Sequence, residues 1–95
     1  LSASYNWTGW YDRDDPTGVA DFEVYVDYAT PPCGSNAKPV GADCRVKTTG
    51  LVWYSANQVL LDCYECSAKG LACFNKYQTN GQCQDYEIRF LCLSQ

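Results

Sequence analysis

The chain has 95 residues, with seven Lys and Arg against eleven Asp and Glu and a formal net charge of −4. That balance argues against nucleic acid or an anionic membrane surface as a partner. Histidine is absent, which removes the usual general base near neutral pH, the commonest zinc ligand and every Ser-His or Cys-His nucleophile.

Seven cysteines in so short a chain point to an oxidising compartment, so the protein is expected to be secreted and extracellular, with disulfides supporting a thin core. Surface scaling predicts one domain, residues 1–95, burying roughly 64% of its unfolded surface. The chain begins at Leu1 and has no methionine; removal of a signal peptide, or excision from a longer mosaic protein, is the expectation. No apolar run approaches the ~18 residues of a membrane-spanning helix.

In chain order, residues 1–5 read as a terminal arm running into Asn6-Trp7-Thr8, the one Asn-x-Ser/Thr sequon. If Trp7 is buried, Asn6 points the opposite way and can carry a glycan; otherwise the sequon is unused. Trp7, Trp10 and Tyr11 are apolar anchors beside a crowd of carboxylates, Asp12, Asp14, Asp15, Asp21 and Glu23, around a turn set by Pro16 and Gly18. Such crowding needs either a distant Arg or Lys or a bound hard cation with oxygen ligands.

Residues 21–28 predict a strand with Phe22, Val24, Val26 and Tyr28 on a core face and Asp21, Glu23, Tyr25 and Asp27 on an acidic outer face. Residues 29–41, rich in Pro and Gly around Cys33, read as a loop needing a staple. Residues 43–48 and 51–54 suggest a hairpin across Thr49-Gly50. An apolar run follows over 58–64. Polar segments then carry Cys66, Cys73 and Cys83, before a closing strand over 86–93 that alternates Tyr86, Ile88, Phe90 and Cys92 against Glu87, Arg89, Leu91 and Leu93. Short strands joined by Gly/Pro turns, without a sustained 3.6-residue period, predict a small disulfide-stapled antiparallel all-β sandwich or partly open barrel.

An EF-hand reading of the acidic run fails: Asp12, Asp14 and Glu23 sit at the first, third and twelfth loop positions, but Pro16 and Thr17 occupy the fifth and sixth and no helices flank them. A different calcium site remains open, built from Asp12, Asp14, Asp21 and Glu23 with carbonyls of the Pro16 to Ala20 turn, and with Asn75 and Asp85 reaching across the sheet. The bland alternative is a solvated acidic loop. Cys63-Tyr-Glu-Cys66 has CxxC spacing without the βαβ context of a redox motif or the histidine of many zinc sites.

Trp7-x-x-Trp10-Tyr-Asp-x-Asp-x-Pro, then Asp21-Phe-Glu, Cys44-Arg45, Gly70-Leu-x-Cys73-x-Asn75-x-x-Gln78 and Cys83-x-Asp85-Tyr-x-x-Arg89-Phe-x-Cys92 resemble, in order, the WxxW domain. This is the CysD module of gel-forming mucins, found also in cartilage intermediate layer protein. The resemblance covers Trp7 to Cys92. It implies a non-enzymatic, calcium-binding extracellular β module contributing to mucus or matrix cohesion, with itself or other extracellular glycoproteins and glycans as partners.

The Trp-x-x-Trp spacing is also an acceptor pattern for C-mannosylation in secreted proteins, with Trp7 as the modified residue; core and rim packing of the two tryptophans is the favoured reading. Its six matching cysteines imply Cys44 with Cys63, Cys73 with Cys83 and Cys33 with Cys92. Cys66, outside the family pattern, is left unpaired or bridges two chains in a covalent homodimer.

Two carboxylates could serve a glycosidase, but so short a chain leaves little room for a cleft. The competing function is a soluble lectin. Trp53 and Tyr54 with Asn57 and Gln58, and Asn75, Tyr77 and Gln78 with Asn80, would supply aromatic faces and amides for a sugar.

Overall fold

The computed structural model describes residues 4–94. Six strands form two antiparallel three-stranded sheets: β1 (Ser4–Trp7), β2 (Ala20–Val24), β3 (Ala37–Val46), β4 (Glu65–Ser67), β5 (Gly70–Phe74) and β6 (Tyr86–Ser94). One sheet has the order β1-β6-β3, the other β2-β5-β4. The sheets do not close into a barrel.

β6 is the spine of the first sheet, because its alternation meets a partner on each side: Tyr5 opposite Leu93 in β1, and Cys44 opposite Ile88 in β3. Tyr86, Ile88, Phe90 and Cys92 point inward and are buried, as the period-2 pattern predicts. Phe90 is ringed by Tyr11, Tyr25 and Tyr28 at centroid separations of 6.4, 5.0 and 6.2 Å. The Tyr25 and Tyr28 contacts are edge-on and that of Tyr11 is tilted, and such contacts add to the burial of each ring.

In the second sheet β5 is the buried centre, with Leu71, Ala72 and Cys73 almost fully enclosed. Gly70 adopts φ +122, and a Cβ there would lie 2.2 Å from the Glu23 carbonyl. Only glycine lets β2 approach so closely.

Three disulfides tie the parts together: Cys33–Cys92, Cys44–Cys66 and Cys73–Cys83. The expected Cys44–Cys63 pair is therefore corrected, and Cys63 is the exposed free thiol. The reason is local. Cys66 sits at a bulge in β4, where the register slips between Glu65 and Ser67 and Cys66 takes φ +64. β4 packs beside β3, so the bulged residue reaches buried Cys44 and links the two sheets. A bridge between chains through Cys66 is excluded by the same bond.

Several expected elements change character. Residues 25–27 form a 3₁₀ turn instead of continuing β2, and Val26, placed on the core face by its sequence position, is 83% exposed. The 51–54 run contributes one bridge, Arg45 with Val52, before a 3₁₀ turn over Trp53–Ala56. The 58–64 run is irregular, with Leu60 alone of its aliphatic residues buried.

Candidate functional site

The most consequential difference lies in β2. Asp21 and Glu23, expected on the solvent face, are both 0% exposed, while Phe22 and Val24 are half-buried. Burial of two carboxylates is tolerable only with donors around them, and the backbone of the acidic run supplies these. Glu23 Oε2 accepts from the Arg13 amide at 2.8 Å and the Tyr28 hydroxyl at 3.1 Å, and Oε1 accepts from the Asp14 amide at 2.9 Å. Asp14 Oδ2 in turn accepts from the Phe22 amide, and Asp21 Oδ2 from the Tyr86 amide at 2.7 Å. The acidic run thus folds back over β2, with Glu23 as its anchor.

The donors do not suffice. The carboxyls of Asp21 and Glu23 lie within hydrogen-bonding reach of each other, and Asp21 Oδ1 is buried without a partner. Burial first, then the Glu23 charge, raises the Asp21 pKa, and burial likewise raises that of Glu23. A second facing pair, Asp12 and Asp85, lies alongside. Asp12 Oδ2 meets Lys47 Nζ at 2.5 Å, whereas Asp85 Oδ1 is buried and unpartnered; burial, followed by the Asp12 charge, pushes the Asp85 pKa up to about 6. The two pairs feel each other through Asp21 and Asp85.

Among the described residues, no three His, Cys, Asp or Glu side chains converge as a ready-made metal cage. The proposed ligand set therefore divides. Asp21 with Glu23 and Asp12 with Asp85 form the facing pairs, and Asp14 is tied to β2. Asn75 serves otherwise: its amide nitrogen donates to the Pro16 and Gly18 carbonyls at 2.9 and 3.0 Å, and its Oδ1 accepts from the Cys83 amide. Asn75 holds the turn in place and has its oxygen engaged. Two orphaned oxygens, each on a carboxylate facing another, nevertheless match what a hard cation with oxygen ligands requires.

The two tryptophans, expected as apolar anchors, pack against cations. Trp7 is 46% exposed. Arg89 Cζ lies 4.5 Å from the Trp7 ring and 5.0 Å from the Trp10 ring, and Arg45 Cζ lies 3.9 Å from Trp10. Arg89 also pairs with Asp43, and Arg45 with Glu87. The three-residue spacing thus clamps an arginine between two indoles, which fixes the chain after β1 against β6 and β3. Asn6 is exposed on β1, opposite Cys92.

The residues offered for sugar binding are mostly structural. Gln58 Oε1 accepts from the Tyr86 hydroxyl at 2.6 Å and the Gln84 amide at 2.8 Å. Gln78 is buried and bonds the Val59 and Phe74 backbones. Asn57 takes φ +54 to end the 3₁₀ turn, and Trp53 packs against the core. Asn57, Gln58, Gln78 and Asn80 do line one cleft of about 330 Å³. Tyr54 and Tyr77, 63% and 54% exposed, lie outside its lining. The amides and the aromatic faces are therefore not brought together.

Two small sheets, three crosslinks and an arginine clamped by a Trp-x-x-Trp pair define a disulfide-stapled β module. Residues 7–92 match the family described as the Mucin-2 protein WxxW repeating region, and the chain belongs to that family. It is similar to human cartilage intermediate layer protein 1, at 31% identity over 97% of this chain, and to human cartilage intermediate layer protein 2, at 28% over 90%. The mouse form of the first is 32% identical over 90%. The chain spans only 7 to 8% of the length of these relatives.

Proposed function

We propose that this domain is an extracellular, non-enzymatic module that contributes to matrix or mucus cohesion by binding, with calcium as a structural ligand. The family membership and the cartilage relatives support the setting, and three disulfides suit an oxidising one. The observation that carries the calcium reading is the buried, unpartnered Asp21 Oδ1 facing Glu23 beside the unpartnered Asp85 Oδ1. Asp21, Glu23, Asp12 and Asp85 would hold the ion, with carbonyl oxygens completing its shell. Calcium supplies charge neutralisation there, not chemistry at a substrate.

Partners are itself or other extracellular glycoproteins. A covalent link between copies would use the exposed Cys63 thiol. Tyr54 and Tyr77 are the aromatic faces available for contact, whereas the separation of aromatic and amide groups disfavours the lectin alternative. A glycan array and sedimentation velocity, each run with calcium and with chelator, test the reading. Calcium-dependent self-association without glycan binding is expected; strong glycan binding would establish the lectin instead.

A further inference from the structure

The acidic cluster contains one cation whose position is unlike the rest. Arg45 is engaged by Glu87 and stacks on Trp10, Arg89 is engaged by Asp43, and the Arg13 guanidinium donates to the Phe22 carbonyl. Among the described residues, Lys47 is the cation that contacts the Asp12–Asp85 pair. Its Nζ contacts Asp12 Oδ2, and its backbone amide donates to the Asp85 carbonyl at 2.8 Å. The side chain is therefore rooted beside one carboxylate and ends on the other. Its ammonium also lies in the field of Glu87 and Asp15.

We propose that Lys47 is a resident counterion that competes with calcium for the Asp12–Asp85 carboxylates and so sets the calcium affinity of the domain. This rests on the calcium reading above. An ammonium is a compact point charge on a flexible stem, and the Lys47 side chain is half exposed, so it can withdraw into water when a divalent ion arrives. It cannot neutralise the site fully, since it reaches Asp12 while Asp85 Oδ1 stays without a partner. Lysine thus holds the unloaded pair together, and a calcium ion, with more ligand positions, displaces it.

The test is calcium titration calorimetry on the wild-type domain, Lys47→Gln, Lys47→Arg and Lys38→Gln, an exposed lysine at the opposite end of β3, at one ionic strength, with melting curves in calcium and in chelator. Removing one positive charge several ångströms from a divalent ion is expected to tighten binding about tenfold. Lys47→Gln should show that gain, should melt below wild type in chelator, and should recover most of the loss in calcium. Lys47→Arg, which keeps the charge and adds a fork that suits carboxylates, should bind no more tightly than wild type, and Lys38→Gln should bind as wild type does. Equal affinities for wild type and Lys47→Gln would overturn the inference while leaving the calcium reading intact. A gain shared by Lys38→Gln would reduce the effect to net charge and overturn it also. Absence of calcium binding by all four proteins would remove the calcium reading, and the inference with it.

Discussion

β6 and β2 are both alternating strands, and they bury opposite kinds of side chain. β6 turns Tyr86, Ile88, Phe90 and Cys92 inward, whereas β2 turns Asp21 and Glu23 inward and leaves Phe22 and Val24 half-exposed. The first strand is held by apolar area. The second is held by backbone amides from the acidic run and from β6 itself, through Tyr86. Alternation in a sequence marks a strand in either case; which face is inside depends on whether donors elsewhere meet the polar set.

The largest effect should come from the apolar strand. Phe90→Ala is expected to lose about 3–5 kcal/mol by denaturant unfolding, since a ring packed by three tyrosines leaves a cavity that cannot collapse. A comparable loss, about 4 kcal/mol, should follow replacement of both Cys33 and Cys92 by Ser, because that bond closes a separation of 59 residues. Gly70→Ala tests the polar strand. The clash with the Glu23 carbonyl should cost about 3 kcal/mol, and should also disturb any calcium response, because it moves the strand that carries Glu23.

The comparison sharpens with pH. Burial raises the Asp21 pKa from 3.8 to about 9 and that of Glu23 from 4.5 to about 7. Between the unfolded and folded values the native protein holds protons that the unfolded chain has released. The cation-free domain is therefore expected to be most stable below about pH 4 with respect to these groups, and to lose that stability as pH rises towards 9. Melting curves in chelator at pH 5 and pH 8 measure the slope. Asp21→Asn should flatten it, because the amide oxygen can still accept from Tyr86 without a charge to bury. An unchanged slope would show that Asp21 is not the titrating group.

The smallest effect belongs to Val26. Placed inward by its sequence position but 83% exposed, Val26→Thr should alter stability by less than about 0.5 kcal/mol. A loss of 2 kcal/mol or more would return it to the core. Tyr54→Ala and Tyr77→Ala should likewise leave the fold unchanged, while weakening self-association if those rings form the contact.

The closing strand, the antiparallel all-β class and the Cys33–Cys92 and Cys73–Cys83 bonds were legible in the sequence, the strand from its apolar alternation and the bonds from the family resemblance. The orientation of β2 was not, since the amides of Arg13, Asp14 and Tyr86 that meet its acids come from positions up to 65 residues away. Cys63 and Cys66 were interchangeable by spacing, and a bulge decides between them. Asn75, Gln58 and Gln78 look like ligand groups in sequence because amides bind ligands and backbone alike; here the backbone takes them. The Trp-x-x-Trp pair was visible as a motif, but its arginine lies some eighty residues further on.

The most direct test of the central claim, that the inward-facing acids of β2 form a cation site with Asp12 and Asp85, is a calcium titration followed by amide nitrogen–proton NMR. Shifts should concentrate at the amides that bond or adjoin those carboxylates, those of Arg13, Asp14, Lys47 and Tyr86, and should saturate together. Saturable shifts confined to other regions, or a spectrum indifferent to calcium, would contradict it.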